Sequence, residues 1–320
     1  MSTDLMDMQA RLVSPDAAVR RLAVIDLPYS DEDDIELLLQ PMLKDPDASV
    51  RMEAVKALEG FEDLETVTAL AQCLLDADAE VREATSTVLA ELKESESAAP
   101  LIPFLTHADP GVRAAALKAV RALRVDEAYA PALGQLKDPD PAVRREAVGV
   151  LGYLKRTDAI GHLAEVAAHD PDGEVRRIAV GALAYSTEVS AVPSLVRALG
   201  DSVWMVREEA AATLGKLRMV QATDELIAAL KDDYWQVRVR AARALGWFKA
   251  LSALPALVEA LTDTVSNLRK EAAIALGEIG DTRAIPALEK ALDDADPDVR
   301  KLARLALTNI TLQHNSGERP

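Results

Sequence analysis

Few side chains in this 320-residue chain are suited to bond-making chemistry: one cysteine, Cys73, and four histidines, His107, His162, His169 and His314. A metal site gathers such donors on one helix face or in short paired spacings. No two of these histidines have that spacing, and Cys73 has no cysteine partner. A nucleophilic thiol needs a cationic, part-open setting that stabilises the thiolate. The equivalent positions of the pattern described below hold Met42, Phe104, Ala167, Ala198, Ala229, Ala260 and Ala291, so Cys73 reads as a buried packing residue. No glycine-rich phosphate loop follows a strand, and acids are so common that paired carboxylates carry no specificity. The chain yields no catalytic residue, metal ligand or cofactor. What remains points to binding: the three tryptophans Trp204, Trp235 and Trp247 stand near Arg240 and Arg243, and Trp and Arg are enriched at the centres of interfaces.

Composition narrows the classes. The chain is 49% hydrophobic and only 3% aromatic, with net charge −17. Its apolar residues are mostly Ala, Leu and Val, which suits closely packed helices. The first 100 residues carry 8 Lys+Arg against 23 Asp+Glu, so nearly all of the excess charge lies there. Such a chain repels phosphate backbones, which argues against nucleic acid. No stretch approaches the roughly 18 apolar residues of a membrane helix, and the start MSTDLMDMQARLV lacks the form of a signal peptide. A lone cysteine fits a reducing compartment. The expectation is a soluble cytoplasmic protein with no membrane partner.

The elements that position these residues come from a repeat. Arg20, Arg51, Arg82, Arg113, Arg144, Arg176, Arg207, Arg238, Arg269 and Arg300 are spaced by 31 residues, with one interval of 32 between Arg144 and Arg176. Each follows Val, except that Leu268 precedes Arg269. Counting from the arginine, Ala stands at +3 except at Thr85, and Leu at +7 except at Val120. Apolar positions −1, +3, +6, +7 and +10 trace one stripe of an α-helix, here called helix B. Before it lies a turn with Asp at −6: Asp45, Asp76, Asp138, Asp170, Asp201, Asp232, Asp263 and Asp294. These carboxylates can accept from turn N–H groups and reach an arginine of their own or an adjacent repeat, which makes an architectural ladder. A second apolar pattern precedes each turn and forms helix A, with Pro193, Pro255 and Pro286 in first turns where the missing N–H costs nothing. One such pair cannot bury its stripe, and stacked pairs can. The fold class is therefore all-α, an α-solenoid of about ten helix pairs. Residues 1–312 form a single continuous repeat domain and 313–320 a polar C-terminal tail. Pro28 stops the first helix B early.

The segment DPDASVRMEAVKALEGFED resembles HEAT repeats of the phycobilisome-lyase type, and the resemblance runs over residues 4–311. That family includes bilin lyase subunits, which attach tetrapyrroles to phycobiliproteins, and many proteins that only bind other proteins. HEAT-like di-iron hydroxylases carry repeated His-Glu pairs, which this chain lacks. HEAT-like DNA glycosylases need a strongly basic concave face, which net charge −17 opposes.

Where fixed columns build a scaffold, function is sought in the columns that vary. The helix-B face opposite the stripe holds −3, +1, +5 and +8, and in solenoids of this family it lines the concave surface. Column −3 is small except at Trp204 and Trp235. Column +1 holds Arg145, Arg177, Val239 and Lys270; column +5 holds Arg243; column +9, at the edge, holds Tyr153, Tyr185 and Trp247. With Arg240 these form the candidate binding surface. It is a partly basic, aromatic groove suited to an acidic or amphipathic protein or peptide. The alternatives are that the tryptophans pack over neighbouring repeats and that the charges are a solvated face. A non-enzymatic adaptor is the leading function, and a bilin or tetrapyrrole lyase or chaperone subunit the alternative.

Overall fold

A computed structural model describes residues 3–30, 34–185 and 191–317, with side chains from residue 7 to residue 314. The described residues form nineteen α-helices joined by turns and short 3₁₀ segments, with no strand among them. Contacts gather them into two compact units, residues 1–154 and 155–320, each described by itself. The boundary falls within the one 32-residue interval of the repeat.

In the first unit, helices A are α1 (Thr3–Leu12), α3 (Ile35–Leu39) and α5 (Leu64–Cys73). Helices B are α2 (Ala17–Asp26), α4 (Ala48–Ala57), α6 (Ala79–Leu89) and α7 (Pro110–Val120). The unit closes with the pair α8 (Tyr129–Gln135) and α9 (Pro141–Leu154). The fourth helix A consists of the 3₁₀ segments Ser95–Ala98 and Ile102–Thr106. In the second unit, helices A are α10 (Ile160–His169), α12 (Val192–Ala198), α14 (Thr223–Ala229), α16 (Leu254–Ala260) and α18 (Ile285–Ala291). Their partners B are α11 (Gly173–Ala182), α13 (Trp204–Lys216), α15 (Trp235–Phe248), α17 (Ser266–Ile279) and α19 (Pro297–Gly317). Pro193, Pro255 and Pro286 lie in first turns, and α2 ends before Pro28, which enters a 3₁₀ turn. The last helix runs to Gly317, so the polar stretch from residue 313 begins as helix.

The apolar stripe of helix B is buried as its period requires, for example Val50, Ala54 and Leu58, or Val237, Ala241 and Leu245. It is wider than that period. Column +4 is buried too, at Val55, Leu117, Val148, Val180, Ala211, Ala242 and Ala273. The width has a simple cause: an interior helix B packs against its own helix A and against a helix B on each side.

The ladder runs from one repeat to the next. Arg20, Arg51, Arg176, Arg207 and Arg269 each place Nε and Nη2 on both carboxylate oxygens of the following turn, Asp45, Asp76, Asp201, Asp232 and Asp294, at 2.6–2.9 Å. Arg113 and Arg238 reach Asp138 and Asp263 through Nη2 at 2.6 and 3.5 Å, while their Nε atoms are buried without a partner. Nη1 of each arginine donates to carbonyls five and six residues back, as Arg207 does to Asp201 and Ser202. The aspartate also accepts from the backbone N–H two residues on, as Asp232 does from Tyr234 at 2.9 Å. Burial pushes the Asp45, Asp201 and Asp232 carboxyls up, but the arginine and backbone hydrogen bonds outweigh it and hold them below the ordinary value. At Asp76 and Asp294 the arginine is the larger influence, with the same result.

Helix spacing in the second unit depends on glycine at +8. A Cβ on Gly246 would lie 2.8 Å from Cα of Ala275, and one on Gly277 2.8 Å from Cα of Ala306. Only hydrogen fits there. Where column +8 is glycine, at Gly152, Gly215, Gly246 and Gly277, it is thus buried and does not belong to the open face.

Candidate functional site

Two variable columns, −4 and −3, meet at the N-termini of α13 and α15. Helix B normally begins after an aspartate at −4, whose side chain accepts from the first free N–H groups. Asp16, Asp47, Asp78, Asp109 and Asp172 do this. In repeats 7, 8 and 9 that residue is Val203, Tyr234 and Val265, and the helix starts without a side-chain cap. The next position, small elsewhere, is Trp204 and Trp235.

These changes bring rings together. Trp204 stacks on Tyr234 with centroids 5.3 Å apart and planes 8° from parallel, and the Arg207 guanidinium lies 5.6 Å from the Tyr234 centroid. Tyr234 is 45% exposed and Trp235 38%, so the cluster is neither core nor fully open; Trp247, 39% exposed, stands apart from it near the C-terminal end of α15. Trp204 and Met205 border a groove of about 470 Å³ with Arg177, Glu208, Glu209 and Arg240. Trp247 borders a smaller cavity of about 210 Å³ with Gly215, Lys216, Arg240, Arg243 and Ala244.

Tyr234 was not among the residues expected at the surface. Its signal lies in column −4, where it interrupts a run of aspartates beside two valines.

The cations of this face are not bare. Arg240 pairs with Glu208 at 3.1 Å, and Arg243 holds Glu271 through two bonds of 2.6 and 2.9 Å. Arg177 holds Glu174 at 2.6 Å and approaches Glu209 at 3.7 Å. Lys270 bridges Asp296 and Asp298 at 2.9 and 3.3 Å, and Lys270 holds the Asp296 carboxyl down at about 2. In the first unit Arg145 meets Glu146 at 3.3 Å. The partly basic groove expected from columns +1, +2 and +5 is therefore a mosaic of ion pairs around aromatic rings. The carboxylates come from the same and neighbouring helices B. Burial raises the Glu209 carboxyl despite Arg177, with Glu208 adding to the rise.

The tyrosines of column +9 carry cations. Lys155 and Lys216 lie 4.7 and 4.8 Å from the Tyr185 centroid, and Arg121 and Arg124 lie 5.8 Å from that of Tyr153. Lys155 directly follows α9 and Arg124 follows the turn after α7, with φ of +54° and +57°. Glycine usually takes that left-handed position, so each basic side chain there accepts backbone strain. Val239 lies half-buried in column +1 and makes no polar contact.

No group of three or more His, Cys, Asp or Glu among the described residues is placed to hold a metal ion. The Cys73 thiol is buried and donates weakly to the Ala69 carbonyl at 3.5 Å. Burial pushes its pKa up to about 11, the reverse of what a nucleophile needs. It lines a cavity of about 1170 Å³ between helices A of repeats 2 and 3. No described helix is long and apolar enough to cross a membrane.

Comparison with known proteins bears on the fold. A family model for HEAT repeats matches overlapping segments 7–90, 67–136, 96–184, 130–215, 160–236 and 223–308. Comparison with the curated proteins gave no match. Among solved structures, the crystal structure of an engineered protein is 24% identical with TM-score 0.54, covering 97% of this chain and 99% of the other. Kap95p solved with RanGDP is 13% identical with TM-score 0.65, covering 96% of this chain and 51% of that one. Kap95 in complex with Nup1 is 15% identical with TM-score 0.66, covering 99% and 53%. The chain thus spans about half the length of the Kap95 chains, and the likeness is one of fold.

Proposed function

The chain belongs to the HEAT-repeat family, and on that premise we propose a non-enzymatic adaptor that captures a protein or peptide on the helix-B face of repeats 7 to 9. The observation that carries this reading is the replacement of the capping aspartate by Val203, Tyr234 and Val265 in three successive repeats. Each lost cap forgoes about 1 kcal/mol of helix stability. In two of those repeats the next residue is a tryptophan. Stability given up in adjacent repeats, beside part-exposed rings, is the pattern of a surface selected for contact.

The partner's chemistry follows from the mosaic. Arg177, Arg240, Arg243 and Lys270 already hold carboxylates, which disfavours a partner recognised by negative charge alone. An amphipathic segment suits the face better, with its apolar side on Trp204, Tyr234, Trp235 and Trp247 and its polar side on the ion pairs. The Kap95 structures, with RanGDP and with Nup1, lend support by analogy of architecture. A reducing cytoplasm is the proposed setting.

Substituting Trp204→Ala and Trp235→Ala together tests the reading. Capture of partners from native lysate, identified by mass spectrometry, should be lost while helicity and melting temperature stay near those of the parent. A large drop in melting temperature would make the rings structural and remove the proposal. The resemblance to phycobilisome-lyase repeats implies a bilin as the alternative ligand. Visible absorbance of the purified protein after co-expression with a bilin separates the two.

A further inference from the structure

One rung of the ladder is incomplete. Arg82 donates Nη1 to the carbonyls of Asp76 and Ala77 at 2.6 and 3.0 Å, as its counterparts do. The residue that should offer it a carboxylate is His107. The imidazole replaces only part of the aspartate: Nδ1 accepts from the Asp109 N–H at 3.2 Å, the turn bond made elsewhere by Oδ1. With Nδ1 accepting, the proton of the neutral ring sits on Nε2, so the ring offers Arg82 no second acceptor. No carboxylate lies within ion-pair distance of Arg82 among the described residues.

The arginine is also open to a cavity. Arg82 borders a space of about 460 Å³ between α6, α7 and α9, in the first unit. Its walls include Ala79, Ala114 and Ala115, small residues at the positions that carry larger side chains around Trp204. Lys118 borders it as a second cation with no carboxylate partner among the described residues; Arg145 is occupied by Glu146, and of the other acids on the walls Asp109 caps α7 while Glu83 lies on α6 beside Arg82.

We propose that the missing carboxylate is supplied in trans: the cavity takes an acidic side chain or C-terminal carboxylate of a bound peptide, seated on Nε and Nη2 of Arg82 beside Lys118. The molecule itself shows the preferred occupant. In five other repeats the same guanidinium edge receives a carboxylate through two bonds of 2.6–2.9 Å. A planar guanidinium fork matches a carboxylate bidentately. The small walls leave room for the chain that delivers it. The site is separate from the aromatic surface of repeats 7 to 9 and stands or falls without it.

The test follows the arginine Nε–Hε resonances of the full chain by NMR, with Arg82 assigned from the peak lost in Arg82→Gln. The probes are N-acetyl-aspartate amide, its asparagine counterpart and inorganic phosphate. The expected result is a saturable shift of the Arg82 resonance with the aspartate probe, and at least tenfold weaker binding of the asparagine probe. His107→Asp fills the rung within the chain, so it should abolish the shift without lowering the melting temperature. Arg82→Lys keeps the charge, loses the fork and removes the Arg82 signal, so its binding is read from the line broadening of the aspartate probe's own resonances; it should weaken binding at least tenfold and serves if His107→Asp misfolds. No saturable shift, equal binding of the asparagine probe, or unchanged binding in either variant overturns the proposal. Phosphate binding as tightly as the aspartate probe overturns the assignment to a carboxylate.

Discussion

Repeats 2 to 4 and repeats 7 to 9 use the same columns and finish them in opposite ways. In the first group helices B begin on the capping aspartates Asp47, Asp78 and Asp109, and column +8 holds Glu59, Ala90 and Arg121. In the second the caps are gone and column +8 is Gly215, Gly246 and Gly277. One group stabilises each helix locally. The other draws helices so close that a Cβ at Gly246 or Gly277 would collide with the next backbone. Close packing offsets the absent caps and leaves the helix starts free to carry Trp204, Tyr234 and Trp235.

The ladder is common to both groups, and removing a rung should have the largest effect. Asp232→Ala leaves Arg207, whose side chain is 14% exposed, without its carboxylate and the Tyr234 N–H without its acceptor. A loss of about 3 kcal/mol is expected, as for breaking a largely buried pair. Asp76→Ala should cost a similar amount through Arg51; chemical denaturation reads both. A loss at one end only would break the view that the ladder is shared.

Column +8 separates the groups. Gly246→Ala should destabilise by about 1–3 kcal/mol through overpacking. Glu59→Ala, exposed in the same column, should stay within about 0.5 kcal/mol. Equal effects would remove the contrast in helix spacing.

The caps give a smaller and opposite pair. Asp47→Ala should cost about 1 kcal/mol, and Val265→Asp should gain a comparable amount. No gain at Val265 would mean that the uncapped start is compensated by packing alone.

The smallest effect is a titration. Burial raises the folded-state pKa of Glu209 above its unfolded value, so the native state binds the proton more readily. The charged form is therefore a penalty at neutral pH, relieved as pH falls through the raised value. Glu209→Gln should raise the melting temperature slightly at pH 7, and the gain should vanish near pH 4. The ladder aspartates behave in the opposite sense. Their folded-state values lie below the ordinary one, so their contribution is complete above about pH 4 and fades as pH falls further.

Periodic features were legible in the sequence because they repeat at short range: helix faces, turn aspartates, first-turn prolines and the buried +3 and +7 columns. The direction of the ladder was not. Arg20 meets Asp45 only once the stacking of repeats places residues 25 apart side by side. The pairing of Arg243 with Glu271 is hidden for the same reason, since the carboxylate belongs to the next repeat. Tyr234 was visible in principle, as a break in a column that is aspartate in most repeats. The 3₁₀ character of the fourth helix A around Pro103 also escapes the apolar pattern, which survives the change in pitch.

The gap opposite Arg82 has a mechanical consequence. Stacked repeats under tension resemble links in series, and a series yields at its weakest joint. Within the first unit the joints at Arg20, Arg51 and Arg113 are each clamped by an ion pair, and the joint at Arg82 is not. A pull along that unit meets, between repeats 3 and 4, the hydrogen bonds of Glu62 with the Lys93 and Glu94 N–H groups and Ser97 Oγ but no ladder ion pair, and an anion seated on Arg82 would raise the force needed.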